Sequence, residues 1–500
     1  MNEAVKVENA VSVRAQAEVR EGKGKAKIPA DDMPFYAERV RVYPRAIKGT
    51  FRRLKWASLA VLLAIYYLTP WIRWDRGANA PDQAVLIDLD GRRFYFFWIE
   101  IWPQEIYYAV GLLVLAAIGL FLVTSLAGRV WCGYACPQTV WTDLFMWVER
   151  LIEGDRPKRI RLDREPLNAA KVAKKVTKHA AWIVIAALTG GAWVIYFQDA
   201  PTFMRDMFAG TLSMTTLFFI GFLTFTTYML AGWAREQVCT YMCPWPRFQA
   251  AMFDEDSLIV TYHGWRGEPR ARMTKNPDWS ARGDCVDCNA CVAVCPTGID
   301  IRDGQQLECI SCALCIDACN QIMPRVGRPA NLIGYDTARR AAARAEGKSL
   351  GYRILRPRTV LYSMLFIGIS VAMLATLMLR NDLEINALHD RNPLFVRLSD
   401  GGIRNGYEIK ILNKQRKPRF FSLTVNGVRG ATMRVLGQKD SGEAVVILEA
   451  KPDRVATYKI YVRAPADQLK GKRTDIVFQL TDSRAGTVAR RTSFFQGPRR

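Results

Sequence analysis

Residues 285–320 read CVDCNACVAVCPTGIDIRDGQQLECISCALCIDACN, and they hold eight of the twelve cysteines in a chain of 500 residues. Cys285, Cys288 and Cys291, followed by Cys295-Pro296, spell C-x2-C-x2-C-x3-C-P, and Cys309, Cys312, Cys315 and Cys319 repeat the spacing. Three closely spaced thiolates wrap three irons of one cubane, while the fourth, displaced onto the following turn, reaches the other cubane. The spacing therefore predicts two [4Fe-4S] clusters, the first on Cys285, Cys288, Cys291 and Cys319 and the second on Cys295, Cys309, Cys312 and Cys315. Zinc is the competing reading, but it prefers two separated C-x2-C pairs and leaves four evenly spaced thiolates, twice over, unexplained. The second motif ends in Cys319-Asn320 where the first ends in Cys295-Pro296, so the ligand is kept and only the turn behind it differs. Between the motifs, GIDIRDGQQLE places Asp303-Gly304 at a hairpin turn between short strands, as a bacterial-type two-cluster ferredoxin, an α+β module, requires.

Long apolar runs flank this module. The chain is 50% hydrophobic and 23% charged with a mean hydropathy of -0.02, an average over two unlike populations. Windows long enough to cross a bilayer fall at 56–72, 106–128, 180–197, 211–233 and 359–379, which predicts five transmembrane α-helices. The first 55 residues contain no apolar core of a cleavable signal, so they read as a poorly ordered tail before an uncleaved anchor. The organisation expected is a tail at 1–55, a four-helix membrane region at 56–234, a ferredoxin region at 235–358, a fifth span at 359–379 and a separate domain at 380–500.

The net charge of +23 must sit outside the spans. No basic helix or aromatic-interleaved patch points to nucleic acid, and membrane topology accounts for the charge. The tail carries 13 Lys and Arg and the loop 129–178 carries 11, against four in 73–105, which puts the amino terminus in the cytoplasm. Five crossings then leave 234–358 cytoplasmic and the last 120 residues outside. Cluster thiolates need a reducing compartment, and the final 120 residues contain no cysteine, so chemistry and charge agree.

The carboxyl-terminal region alternates in short runs, YEIKIL, FFSLTVNG, EAVVILEA, ATYKIYVRA, DIVFQL and RRTSFF, which predicts an extracytoplasmic all-β, Ig-like sandwich of about seven strands. It is read as a docking or spacer domain. The aromatic stretch RFYFFWIEIW at 93–102 is too short to span and is expected to lie at the outer interface or to dip in and return. His179, His263 and His389 are the only histidines, too few near the spans for a transmembrane haem pair. No dinucleotide fingerprint, phosphate-binding loop or Ser/His/Asp arrangement is present.

The remaining cysteines fall in CGYACP, Cys132 to Pro137, and CTYMCP, Cys239 to Pro244. Each C-x-Y-x-C-P follows an even-numbered span, so both land at the same membrane surface. Should the helices continue, Cys132 and Cys136, and likewise Cys239 and Cys243, share a helix face; the prolines suggest instead that each helix bends or ends there. Four converging soft thiols suit Cu(I), zinc or an iron–sulfur centre, and the bland alternative is small cysteines packed between helices. The duplication favours metal or redox work, which makes Cys132, Cys136, Cys239 and Cys243 a candidate copper or redox site.

The five spans, RWDRGANAPDQAVLIDLDGRRFYFFWIEIWPQEIYY, RVWCGYACPQTVW, CTYMCPWPRFQAAM, the cysteine run and the terminal sandwich together resemble the CcoG/FixG/RdxA family of cytochrome c oxidase accessory proteins, from about residue 35 to the end. The resemblance implies a polyferredoxin of the bacterial inner membrane that acts as a cupric reductase, supplying Cu(I) for assembly of a cbb(3)-type oxidase. It also implies partners in the oxidase assembly machinery and among copper carriers; the electron donor stays unassigned. The eight ferredoxin cysteines match as cluster ligands, and Cys132, Cys136, Cys239 and Cys243 match the membrane C-x3-C-P pairs. Those pairs also resemble quinol dehydrogenase subunits of the periplasmic nitrate reductase type, which is the alternative function. A purely structural assembly chaperone is a third reading, and intact ligand spacing speaks against it.

Overall fold

A computed structural model of the chain describes residues 41–77, 80–274, 278–380, 383–414, 418–437, 442–451, 454–469, 471–484 and 486–498. Most of the expected tail, 1–40, lies outside the described residues. Two compact units form, one from the described residues up to Arg73 together with Gln83–Val371, the other from Trp74–Asp82 and Ala372–Arg500.

The first unit runs α1 (Thr50–Leu68), β1 (Val85–Asp88), β2 (Arg93–Phe96), β3 (Ile99–Ile101), α2 (Tyr107–Ala127), α3 (Val130–Tyr134), α4 (Pro137–Glu153), α5 (Arg156–Arg164), α6 (Ala169–Val194), α7 (Ala200–Ala209) and α8 (Met214–Thr227). It continues through α9 (Trp245–Met252), β4 (Ile259–Tyr262), α10 (Gly264–Gly267), α11 (Ala290–Val294), α12 (Leu314–Ile322), β5 (Ile333–Asp336), α13 (Ala338–Ala345) and α14 (Pro357–Met378). Among the described residues, four helical stretches are long and apolar enough to cross a membrane: Thr50–Trp71, Pro103–Ala127, Met214–Ala234 and Pro357–Met378. Their large apolar side chains, such as Leu113, Phe218 and Met364, stand exposed, as lipid-facing residues do. The third expected window, 180–197, behaves differently. Its helix α6 starts early, with Lys171, Lys174, Lys175 and Lys178 in the first turns, and stops at Val194 before the window is complete. Residues 195–197 fold back as a turn, with Tyr196 N–H bonded to Trp193 O at 3.1 Å.

What holds α1, α4, α5 and α6 together is ionic. α4 buries Asp143, Glu149 and Glu153 on one face. Glu149, 1% exposed, meets Arg159 at 2.9 Å, Arg235 at 3.0 Å and Lys178 at 3.5 Å, and Glu153 meets Lys175 and Lys178, each at 2.9 Å. Asp143 takes Arg52 of α1 at 2.9 Å. Carboxylates buried to this degree persist only when cations surround them.

Residues 93–102, too short to span, supply β2 and β3 of a three-stranded antiparallel sheet, order β1-β2-β3, with Val85 opposite Phe96 and Phe94 opposite Ile101. Asp88 Oδ1 accepts Gly91 N–H at 2.7 Å and reverses the chain, so period-two alternation wins over aromatic content.

The hairpin expected at Asp303-Gly304 is absent. Asp300 caps a single 3-10 turn, Ile301–Asp303, that ends at Gly304 with φ +93°, a value that suits glycine. The strands that close the module come from outside the cysteine run: β4 pairs antiparallel with β5, Ile259 opposite Asp336 and Tyr262 opposite Ile333.

In the second unit, two antiparallel sheets carry an Ig-like fold: β10 (Thr432–Val435), β12 (Arg454–Ala464), β8 (Ile403–Asn413) and β6 (Leu383–His389) in that order with β7 (Val396–Arg397) on β8, and β11 (Val445–Ala450), β9 (Arg419–Asn426), β13 (Arg473–Asp482) and β14 (Val488–Gln496). Alternate residues point inward, and Tyr407, Ile409, Phe421, Leu423, Leu448, Ile460, Phe478 and Phe495 are fully buried. All six runs read from sequence are strands. β6, β7 and β10 join them: β6 follows the last span too closely to stand out, and β7 and β10 are two and four residues long.

Candidate functional site

The two four-cysteine motifs adopt the same backbone. Asp287 and Asn289 lie between the first three cysteines with φ 47° and 53°, and Ser311 and Ala313 occupy the matching positions with φ 52° and 60°. Alternating right- and left-handed residues turn successive N–H groups toward one point, a concavity that suits an anionic cluster. Asp, Asn and Ser tolerate this conformation. Ala313 does so at about 1 kcal/mol, strain retained where a loop geometry is imposed.

Burial pushes the Cys319 thiol up to about 12, and Cys288 and Cys285 are the neighbouring thiols that add to it. Cys291, also raised to about 12 by burial, has Cys319 and Cys288 nearby. On the other side burial raises Cys309 to about 12, with Cys295 and Cys312 as its thiol neighbours, and Cys315 senses Cys312, Cys309 and Cys295 first and Cys291 after them. The fold thus gathers Cys319 with the first three cysteines and Cys295 with the later three, although each belongs to the other motif in sequence. Thiols this reluctant to ionise are neutral until iron displaces the proton.

Both membrane motifs break their helices at the proline. α3 ends at Tyr134, and Cys136 becomes the N-cap of α4, with Pro137 in the first helical position. Cys132 and Cys136 therefore do not share a continuous helix face; Thr139 Oγ1 donates to Cys132 O at 2.6 Å and ties the two segments together. After α8, a π-helical stretch Tyr228–Ala234 and a second one, Val238–Met242, carry the chain to Cys239, and Cys243 is extended. Gln138 of α4 donates to Leu230 O at 2.8 Å and Arg235 O at 3.2 Å, satisfying carbonyls freed at this break.

All four thiols line one cavity, and Cys309 of the ferredoxin module lines it with them. Burial raises Cys132 to about 11, with Cys136 next among the causes and Arg129 opposing, and raises Cys239 to about 12, with Cys136, Cys132 and Cys243 adding. Among the described residues no group of three or more His, Cys, Asp or Glu is gathered tightly enough for one metal ion. Cubane ligands stand farther apart, because each binds its own iron; a single ion at the four thiols requires their side chains to draw together.

Contacts between this cavity and the cluster loops are direct. Gly133 lets α3 lie against the second motif, since a Cβ there would stand 2.7 Å from Ile310 O and 3.1 Å from Cys312 N. Tyr134 donates to Cys312 O at 3.1 Å. Arg129, 3% exposed, donates to Leu307 O, to Cys309 O at 3.2 Å and to Pro246 O at 2.8 Å, joining the first membrane motif, the cluster loop and the segment after the second motif. Sequence reasoning counted Arg129 only as one loop charge; its signal was a cation three residues before Cys132 at the end of an apolar run.

Comparisons with known proteins agree with this geometry. Residues 109–157 match a family model described as a 4Fe-4S binding domain, residues 234–338 a 4Fe-4S dicluster domain, and residues 373–498 an IG-like fold at the C-terminal of FixG. The nitrogen fixation protein FixG of Rhizobium meliloti is 54% identical over 460 residues, 86% of this chain and 88% of the relative. Proteins RdxA and RdxB of Cereibacter sphaeroides are 49% and 47% identical, each over 93% of this chain and over 99% and 97% of their own lengths. Apolar helices, two four-cysteine loops and the sandwich are thus parts of one shared architecture, and the chain belongs to the FixG/RdxA family as a membrane-bound iron–sulfur electron-transfer protein.

Proposed function

We propose that the chain reduces Cu(II) to Cu(I) at the cavity of Cys132, Cys136, Cys239 and Cys243 and so supplies a cbb(3)-type oxidase during assembly. One observation carries this reading: Cys309, a ligand of the second cluster, lines the same cavity as the four thiols. The second cluster would supply one electron to each Cu(II) ion, and the thiols that take up copper would release their protons as it binds. Thiolate softness favours the cuprous product. On this reading Cys285, Cys288, Cys291 and Cys319 hold the first cluster and Cys295, Cys309, Cys312 and Cys315 the second, and copper carriers and oxidase assembly proteins are the partners.

The test is the rate of Cu(II) reduction per intact cluster in Cys136→Ser against the unaltered chain, with cluster content read from visible absorption. A hard hydroxyl is a poor Cu(I) ligand, so the rate is expected to fall at least tenfold while the cluster spectrum survives. An unchanged rate sinks the copper site. Oxidation of a quinol is the second reading, favoured by a cavity of about 380 Å³ that includes His179, Trp182, Trp233 and Glu236, the last a neighbour of Cys239. It requires that Cys136→Ser lose quinol oxidation and keep copper reduction.

The orientation proposed from the loop charges puts the amino terminus and the clusters in the cytoplasm of a bacterial inner membrane and the sandwich in the periplasm. Five crossings satisfy it, α6 being the third. A reporter that works only outside the cytoplasm, fused after Leu379, is expected to be active, and a cytoplasmic reporter inserted near Lys348 likewise. The opposite pattern would place the cluster loops on the oxidising side.

A further inference from the structure

Most cations near the cluster loops are matched by a carboxylate; the exception on the first side, Arg282, donates to the Ala271, Arg272 and Cys285 carbonyls but is part-exposed and lies over Trp279. Arg302, beside Cys291, pairs with Asp287 at 2.7 Å and Asp300 at 2.6 Å, and Arg266, beside Cys319, pairs with Asp284 at 2.7 Å. On the second side Lys55, beside Cys312, stands 4.0 Å from Asp143, which also takes Arg52 at 2.9 Å. Arg129 differs. It is as deeply buried, yet its guanidinium donates only to backbone carbonyls, its Nε has no hydrogen-bond partner, and it makes no ion pair among the described residues. An uncompensated buried charge is disfavoured unless something in the site supplies the opposite sign. Around Arg129 the groups able to do so are Cys132 and Cys309 as thiolates, and the half-buried Glu308.

We propose that Arg129 sets the direction of electron flow: its fixed charge, 3.2 Å from Cys309 O and lining the cavity of the four thiols, raises the reduction potential of the second cluster above that of the first. Reduction adds a negative charge to a cubane, and a cation held in a water-poor site favours the more negative state. The first cluster receives less of this help, because its buried cations are neutralised and its unpaired Arg282 is part-exposed and screened by water. Electrons therefore run from the first cluster to the second and on to the thiol cavity, where the same charge favours the more anionic cuprous thiolate over the cupric one. The proposal rests on Cys295, Cys309, Cys312 and Cys315 holding the second cluster, and it names Arg129 as a positioning residue for charge, not a catalytic one.

The experiment is an EPR-monitored redox titration of the full chain in detergent, without copper, the second cluster being the component missing from Cys312→Ala. In Arg129→Met its reduction equilibrium constant is expected to fall about tenfold, which is 59 mV for a one-electron couple, while the first cluster stays in place. Arg129→Lys should recover most of the shift, and Glu308→Gln should move the same cluster in the opposite direction. No shift in Arg129→Met with both clusters present, or an equal shift in both, overturns the proposal. Should Arg129→Met lose its cluster during purification, Glu308→Gln decides: an unmoved second cluster there overturns it equally. Failure of the copper reading would leave these potentials as they are, so the two results are separable.

Discussion

Cys312→Ala is expected to bring iron and sulfide down from about eight of each per chain to about four, with one EPR component gone and the other intact. Cys312 is fully buried on the second side, where its charged neighbours are Lys55 and Cys295, and alanine offers the fourth iron nothing. The companion variant is Cys319→Ala. Cys319 belongs to the second motif in sequence, but the fold places it with Cys285 and Cys288, so its loss should remove the component that Cys288→Ala removes and spare the one that Cys312→Ala removes. If Cys319→Ala and Cys312→Ala erase the same signal, the interleaved assignment is wrong. If either variant loses both clusters, the two loops fold as one unit and the count per site has no separate meaning.

Glu149→Gln is expected to destabilise the folded chain by about 3–5 kcal/mol, the range for removing one partner of a buried ion pair. The side chain is 1% exposed, and its loss strands Arg159 and Arg235 and leaves Lys178 with Glu153 alone. Burial alone would raise this carboxyl, but Arg235, Arg159 and Lys178 outweigh it and hold it at about 2, against an ordinary 4.5. A carboxylate held below its unfolded value stabilises the fold above that value and ceases to do so as pH falls through the folded one. Acid should therefore weaken the unaltered chain between about pH 4.5 and pH 2, while Glu149→Gln shows a flatter profile over that window. Thermal unfolding in detergent across this range checks both; a Glu149→Gln chain as stable as the parent would mean the cations had found other partners or water.

The parts legible in sequence are those in which a local pattern and the final structure share one cause. Cysteine spacing is set by cubane geometry, and strand alternation by a sheet buried on one face, so both survive folding unaltered. The break at each C-x-Y-x-C-P was legible for the same reason, because proline removes a donor wherever it sits. What was illegible depends on distant partners. β4 and β5 pair across the whole cysteine run, from 259–262 to 333–336, and neither is long enough to announce itself. Residues 93–102 gave no sign from sequence of the hairpin that Asp88 and Gly91 close before them. α6 holds most of the expected apolar window, but Lys175 and Lys178 near its start answer to Glu149 and Glu153, so the helix begins where its charges find partners. Arg129 was invisible as a site residue because its significance lies in the carboxylate it lacks.

Helix α1 has no side-chain cap of its own; its first free N–H groups, Phe51 and Arg52, donate to Asp317 of α12 at 3.3 Å and 2.8 Å. A carboxylate at a helix start satisfies orphan donors and opposes the positive end of the dipole. Here it arrives from 265 residues later in the chain, from the turn of helix that ends in Cys319. Biosynthesis gives this contact an order in time. Helix α1 is made before Asp317, so its first N–H groups gain this cap only once α12 has been made and packed against it. The seating of α1 and the packing of the helix that carries Cys315 and Cys319 are thus coupled through one carboxylate.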